Sequence, residues 1–295
     1  MSWIYRLLAA ACCICTCTSA DAADMKISDD PQYNIILEGT IVKGDYDKLR
    51  NLIEEICPEN SWSTLCSSDI YLASPGGSVI EAIKIGRLIR KLRLEVKIPG
   101  DASPDLRQRI TAALKLQSPQ TNYMCASACF FVAVGAIERN ASIGNAILGI
   151  HRPYMTDVDL KYLGSDQVIA STRQLRGIVE TYLKEMGVPA RYADLMFSIP
   201  KDQVRWITKA EYRADFDGVV PELREWLGAR CDNRTEAEKR LEDLFEAKVA
   251  YGEKLNAEEQ TMRSALATKL MSRVQCESAS KEKMREDAWK AYRRP

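Results

Sequence analysis

A single histidine, His151, follows Ser127 by 24 residues, and Ser127 sits at the centre of the run Cys125-Ala126-Ser127-Ala128-Cys129. A serine hydroxyl attacks a carbonyl carbon slowly at neutral pH until a base takes its proton, and imidazole is the side chain whose pKa suits that transfer. Any Ser-His chemistry in this chain therefore uses His151 as the base. The same scarcity excludes zinc or iron sites built on two or three histidines, so no metal and no other cofactor is expected. For an isolated histidine, a core or surface position without a chemical role is the ordinary alternative.

A second segment gives the pair a context. Residues 69–73, Asp-Ile-Tyr-Leu-Ala, read as a short apolar strand. Residues 78–92 have the period of a helix, with apolar side chains at 79, 82, 83, 85, 88 and 89. Between them stands Ser74-Pro75-Gly76-Gly77-Ser78. Paired glycines reach backbone conformations closed to other residues and leave amides uncovered at a helix start, where they can stabilise a developing oxyanion. An ordinary strand-to-helix turn is the bland alternative for Pro-Gly-Gly alone.

Taken in series, Ser-Pro-Gly-Gly-Ser, Cys-Ala-Ser-Ala-Cys and Leu148-Gly149-Ile150-His151-Arg152-Pro153 resemble the Clp-type serine protease family of the Clp/crotonase fold, and most of all its secreted, Clp-like members from bacterial envelopes. The resemblance spans roughly residues 33–222. It implies an α/β fold, a spiral of ββα units around a mainly parallel sheet. Ser127 then matches the nucleophile at the start of a buried helix and His151 the general base. The amides of Gly77 and Ala128 match the oxyanion hole, and Gly76 and Ser78 lie where an extended peptide would bind. The family's orienting aspartate aligns with Val204. Asp202, two residues earlier, is the candidate third member, and its alternative is a solvated loop aspartate. The helical stretch 164–187 corresponds to an arm used in homo-oligomer contacts, or else packs on its own core.

Arg6 precedes an apolar run, residues 7–17, and Ala20-Asp21-Ala22 follows, as in a secretory signal peptide cleaved after Ala22. A lipoprotein signal ending at Cys12 is the alternative. No later stretch reaches membrane-spanning length. The expected address is export, to a bacterial periplasm by the family resemblance. The balance of 41 basic and 41 acidic residues gives no reason to expect a nucleic-acid partner. Of ten cysteines, six lie beyond residue 22, and an even number in an exported chain reads as disulfides. Cys57 and Cys66 flank a short polar loop and pair locally. The midpoint of Cys231 and Cys276 falls beside Gly252, so two antiparallel helices over 234–251 and 255–275 would bring them together. Cys125 and Cys129 either bridge at i,i+4 or remain buried thiols beside Ser127.

Strand and helix alternate along the rest: a strand over 33–42, a helix over 45–56, a strand over 94–98, a buried helix over 128–137 and a strand over 146–150. The domains expected are the signal peptide 1–22, a Clp/crotonase-like domain 23–228 with an insertion over 101–120, and a helical C-terminal hairpin 229–295. The leading function is an exported serine hydrolase, a peptidase acting on peptide or protein substrates through an acyl-enzyme on Ser127. A Ser-Lys variant would need Lys184 or Lys161. The alternatives from other classes are a catalytically weak binding or scaffold module and a crotonase-type acyl-CoA enzyme, the latter disfavoured by export.

Overall fold

The computed structural model describes residues 22–29, 35–57, 66, 69–153 and 165–293. The expected signal peptide lies outside these residues except for Ala22, which bridges Thr40. Lys161 and the loop between Cys57 and Cys66 lie outside them as well.

The sheet is organised around one strand. β1 (Asp24–Ile27) pairs antiparallel with β2 (Ile35–Ile41), and β2 runs parallel to β3 (Asp69–Gly77). The start of β3 continues through β4 (Glu95–Ile98), β6 (Glu138–Ala141) and β9 (Gly218–Val219). Its far end pairs instead with β5 (Cys125–Ala126), then β7 (Leu148–Ile150) and β8 (Arg205–Trp206). Among the described residues five of the eight strand pairs are parallel, which demands crossover helices on the faces. Residues 70–74 are buried at every position, the pattern of a strand covered on both sides.

α1 (Asp45–Ile56) and α2 (Val79–Lys91) supply much of that cover. Ser78 caps α2 by accepting from the Glu81 amide at 3.3 Å. α5 (Ala128–Gly135) is buried at all eight positions, as an apolar helix without a polar face must be. The segment 101–120 folds as α3 (Pro104–Ala113), with α4 (Pro119–Asn122) after it, each opening on a proline that the first turn tolerates. Buried Glu38 pins this insertion by accepting from the amides of Gln117 (2.9 Å) and Ser118 (2.8 Å). α6 (Ser165–Glu185), α7 (Arg191–Ser198) and α8 (Lys209–Asp215) close the main body.

Three helices complete the chain: α9 (Pro221–Cys231), α10 (Glu236–Ala250) and α11 (Ala257–Arg293). The last two turn back on each other near Gly252, whose φ of 75° suits the reversal. The second helix does not stop near 275 as the pattern of the cysteines led us to expect. It runs on to Arg293 and returns to the main core, where Trp289 is buried and Tyr292 packs beside it. Burying one large aromatic contributes about 1.5–3 kcal/mol, reason enough for the helix to continue. The described part of the expected appendage, up to Arg293, is thus part hairpin and part core. Four strands, β1, β5, β6 and β8, had no counterpart in the sequence reading.

Candidate active site

Two short parallel strands place the two candidate side chains. Cys125 pairs with Leu148 and Ala126 with Gly149, so β5 and β7 end side by side and deliver Ser127 and His151 together. The Ser127 amide donates to the Gly149 carbonyl at 2.9 Å, continuing the ladder by one bond. Beyond it the chain enters α5 directly, through Ser127 at φ 57°, ψ −121°. That is a sparsely populated backbone conformation for a residue with a Cβ, and such outliers gather at functional sites. The Ser127 side chain makes no cap bond to its helix. Its Oγ lies 2.5 Å from Nε2 of His151.

The other ring nitrogen settles which way that bond runs. Nδ1 of His151 is 2.8 Å from the carbonyl oxygen of Arg152, and a carbonyl can only accept. The proton of the neutral ring therefore sits on Nδ1, and Nε2 offers its lone pair to the Ser127 hydroxyl. Arg152 is itself anchored, its guanidinium donating twice to the Phe197 carbonyl at the end of α7, at 3.0 and 2.6 Å.

The glycine turn closes in from β3. Gly76 has φ 117°, and a Cβ there would stand 2.4 Å from Cβ of Ser127 and 2.8 Å from its Oγ. At Gly77, φ 135°, a Cβ would lie 2.1 Å from the Ile41 carbonyl oxygen. Neither position admits a side chain. Ser74, fully buried, accepts from the Gly76 amide at 3.1 Å and holds the turn. Ala128 opens α5, so its amide is among the first-turn donors for which a helix has no carbonyl.

A cleft of ≈ 840 Å³ opens over the pair. Ile41, Val42, Pro75, Val79, Leu175 and Ile178 give it apolar walls, and Ser127 and His151 lie in its lining with Gly77 and Ser78. Lys43 is the one charged residue among the described residues of that lining. The wall is braced by Glu81, which accepts from the amides of Gly44 (2.9 Å) and Tyr46 (3.0 Å) and pairs with Lys84. Burial alone would raise the Glu81 pKa; the Tyr46 amide, Lys84 and the Gly44 amide outweigh it and hold the carboxyl below its ordinary value.

Asp202 is exposed in a turn before β8, and among the described residues no hydrogen bond or ion pair joins it to His151. The antiparallel register of β7 and β8 sets Gly149 against Trp206 and Ile150 against Arg205, so its continuation sets His151 against Val204. Lys184 is exposed near the end of α6, and no described contact links it to Ser127. The cysteines meet as Cys57–Cys66, Cys125–Cys129 and Cys231–Cys276, with Cα separations of 5.2, 5.2 and 5.6 Å. The sequence reading missed the Arg152 carbonyl, which carries no residue-type signal, and the walls from β2 and α6. Leu175 and Ile178 fall in the helical stretch 164–187, whose facing the sequence does not give. Among the described residues there is no cluster of histidine, cysteine and carboxylate side chains able to hold a metal, and no helix long and apolar enough to cross a membrane.

No family model and no curated protein sequence matches the chain. Among solved structures it is similar to a serine-to-alanine mutant of 1510-N, a membrane-bound stomatin-specific protease. The likeness is distant, 19% identity and a TM-score of 0.37 over 66% of this chain and 82% of that one.

Proposed function

We propose that the chain is a serine peptidase of the Clp-like type, exported to the periplasm, with Ser127 as nucleophile and His151 as general base. The observation that carries the reading is the 2.5 Å contact between Ser127 Oγ and His151 Nε2, with the tautomer set by the Arg152 carbonyl. As Oγ attacks the peptide carbonyl carbon, its proton passes to Nε2 and the carbonyl electrons move to oxygen. The amides of Gly77 and Ala128 serve as the oxyanion hole, aided by the N-terminal end of α5. Collapse of the tetrahedral intermediate breaks the C–N bond, and Nε2 returns the proton to the leaving amine. Water then hydrolyses the Ser127 ester by the same route in reverse. The substrate backbone runs through the cleft beside Gly76, Gly77 and Ser78, adding a strand to the end of β3.

Three disulfides fit an oxidising compartment. The test is covalent labelling by a fluorophosphonate probe, with the modified peptide mapped by mass spectrometry. Wild type should label at Ser127. Ser127→Ala should not label, and His151→Ala should label at least about 10⁴-fold more slowly, on the scale of base removal in other serine peptidases. A folded wild-type protein that never labels would return the chain to a binding module.

A further inference from the structure

Cys125 and Cys129 are bonded to each other and fully buried, and the ring they close contains Ser127 at its midpoint. We infer that this disulfide is a positioning element for the nucleophile: it holds Ser127 in its attacking backbone conformation, and breaking it slows the site without unfolding the protein. The inference rests on the Ser127-His151 reading and adds to it a covalent, redox-sensitive restraint.

The need for a restraint comes from the backbone. Between β5, two residues long, and α5 the chain turns within one residue, and that residue is at φ 57°, ψ −121°. A non-glycine residue there is strained relative to relaxed conformers. Glycine would relieve the strain but has no hydroxyl. Relaxation can go two ways, and a different contact blocks each. Extension of the turn would carry residues 125 and 129 towards roughly 13 Å apart, the reach of four residues. The disulfide holds their Cα atoms at 5.2 Å. Winding α5 back through Ser127 would withdraw its amide from the Gly149 carbonyl, a 2.9 Å hydrogen bond made inside the sheet. The crosslink and the ladder bond together leave the observed conformer.

Loop size separates this role from ordinary stabilisation. Crosslinks stabilise a fold mainly by restricting the unfolded chain, and the effect grows with the loop they close. The three bridges span 4, 9 and 45 residues. Cys125–Cys129 thus contributes least to global stability while enclosing the residue whose placement matters most. Cys231–Cys276 has the opposite balance, closing the longest loop in the helical hairpin with no described contact to the cleft.

The experiment compares fluorophosphonate labelling of full-length wild type, a Cys125→Ala/Cys129→Ala variant and a Cys231→Ala/Cys276→Ala variant, each with its thermal midpoint. We expect the first variant to lose about tenfold in the rate constant at saturating probe, within the range a released strain allows. The probe concentration for half-saturation should change by less than about twofold, since the cleft walls are untouched. Its melting midpoint should stay within a few degrees of wild type. The second variant should label normally and melt lower. Because alanines also leave cavities, wild type is titrated in parallel with dithiothreitol, which becomes a cyclic disulfide as the protein S–S bond becomes two thiols. Differential alkylation and mass spectrometry then read each bridge. The labelling rate should fall with loss of the Cys125–Cys129 bridge and recover when oxidised dithiothreitol restores it. A folded Cys125→Ala/Cys129→Ala variant that labels at the wild-type rate overturns the inference, as does a rate that tracks another bridge. Wild type that never labels at Ser127 removes the underlying reading and this inference with it.

Discussion

The two ends of β3 solve opposite problems. At its C-terminal end the chain is bent through Gly76, Gly77 and Ser127 into conformations that leave polar groups uncovered beside an open cleft. At its N-terminal end three carboxylates stand in register on neighbouring parallel strands, Asp69 against Glu95 and Glu95 against Glu138. Like charges one strand apart repel, and this edge is closed rather than open. α11 lies across it and supplies Arg285, paired with Glu95, and Lys281, 2.6 Å from Glu138 and 3.4 Å from Glu95, while Lys97 reaches Asp69 at 3.7 Å. One end holds strained backbone beside an open cleft. The other neutralises charge with the chain's own helix. The same strand thus ends in a strained turn on one side and in an ion-paired cluster clasped by a helix on the other.

Breaking the clasp should have the largest effect on stability. Arg285 and Glu95 are both mostly buried, so Arg285→Ala leaves a carboxylate group in the interior with its main partner gone. We expect a loss of about 3–5 kcal/mol in urea unfolding at neutral pH. The molecules that remain folded should label at Ser127 as fast as wild type. A slower rate per folded molecule would show that the two ends are coupled through β3.

Breaking the strained end should do the reverse. Gly76→Ala drives a methyl into Ser127 and must displace it. A displacement near 1 Å costs about 100-fold in rate. We expect that loss in labelling, with less effect on unfolding than Arg285→Ala. A gain should come from Val204→Asp, which sets a carboxylate opposite His151 in the β7–β8 register. Labelling should rise about tenfold, within the reach of improved general-base catalysis, and the companion Asp202→Asn should leave it unchanged.

The strained end was the more legible of the two in the sequence. Pro-Gly-Gly, a serine between cysteines and a lone histidine are local signals, because the chemistry and the backbone conformations they serve restrict residue type. The alternation of strands and helices was equally plain. Asp202 was a weaker inference: it is the nearest carboxylate in the chain, but antiparallel pairing of β7 with β8 brings Val204 to the histidine, and a two-residue offset along a strand is roughly 7 Å. The clasp left almost no local trace. Asp69, Glu95 and Glu138 are ordinary strand-end acids until the sheet order aligns them, and nothing in the charged stretch 276–293 announces that Arg285 and Trp289 are buried. β6, with charged Glu138 and Arg139 in a four-residue strand, carries no alternating apolar pattern to announce it.

The smallest effect, and the most specific to the clasp, is its response to acid. Burial raises the Asp69 pKa above its ordinary value, with Glu138 adding to the rise and Lys97, Arg285 and Lys281 opposing it. Burial also pushes Glu138 upward, but the hydrogen bond and charge of Lys281, with Asn140 and Lys97, overcome it and leave that pKa below normal. The two groups therefore act with opposite sign. As pH falls through the raised folded pKa of Asp69, the folded state takes up a proton that the unfolded state does not yet bind, and stability rises. Below the ordinary glutamate range the unfolded chain protonates at Glu138 before the folded one does, and stability falls until the depressed folded pKa is passed. Urea midpoints should pass through a shallow maximum on the acid side of neutrality. Asp69→Asn should remove the rise on acidification, and Glu138→Gln should flatten the decline below it. A profile unaltered by both substitutions would mean that the carboxylates in register do not share one electrostatic environment, and the clasp would reduce to the Arg285–Glu95 pair alone.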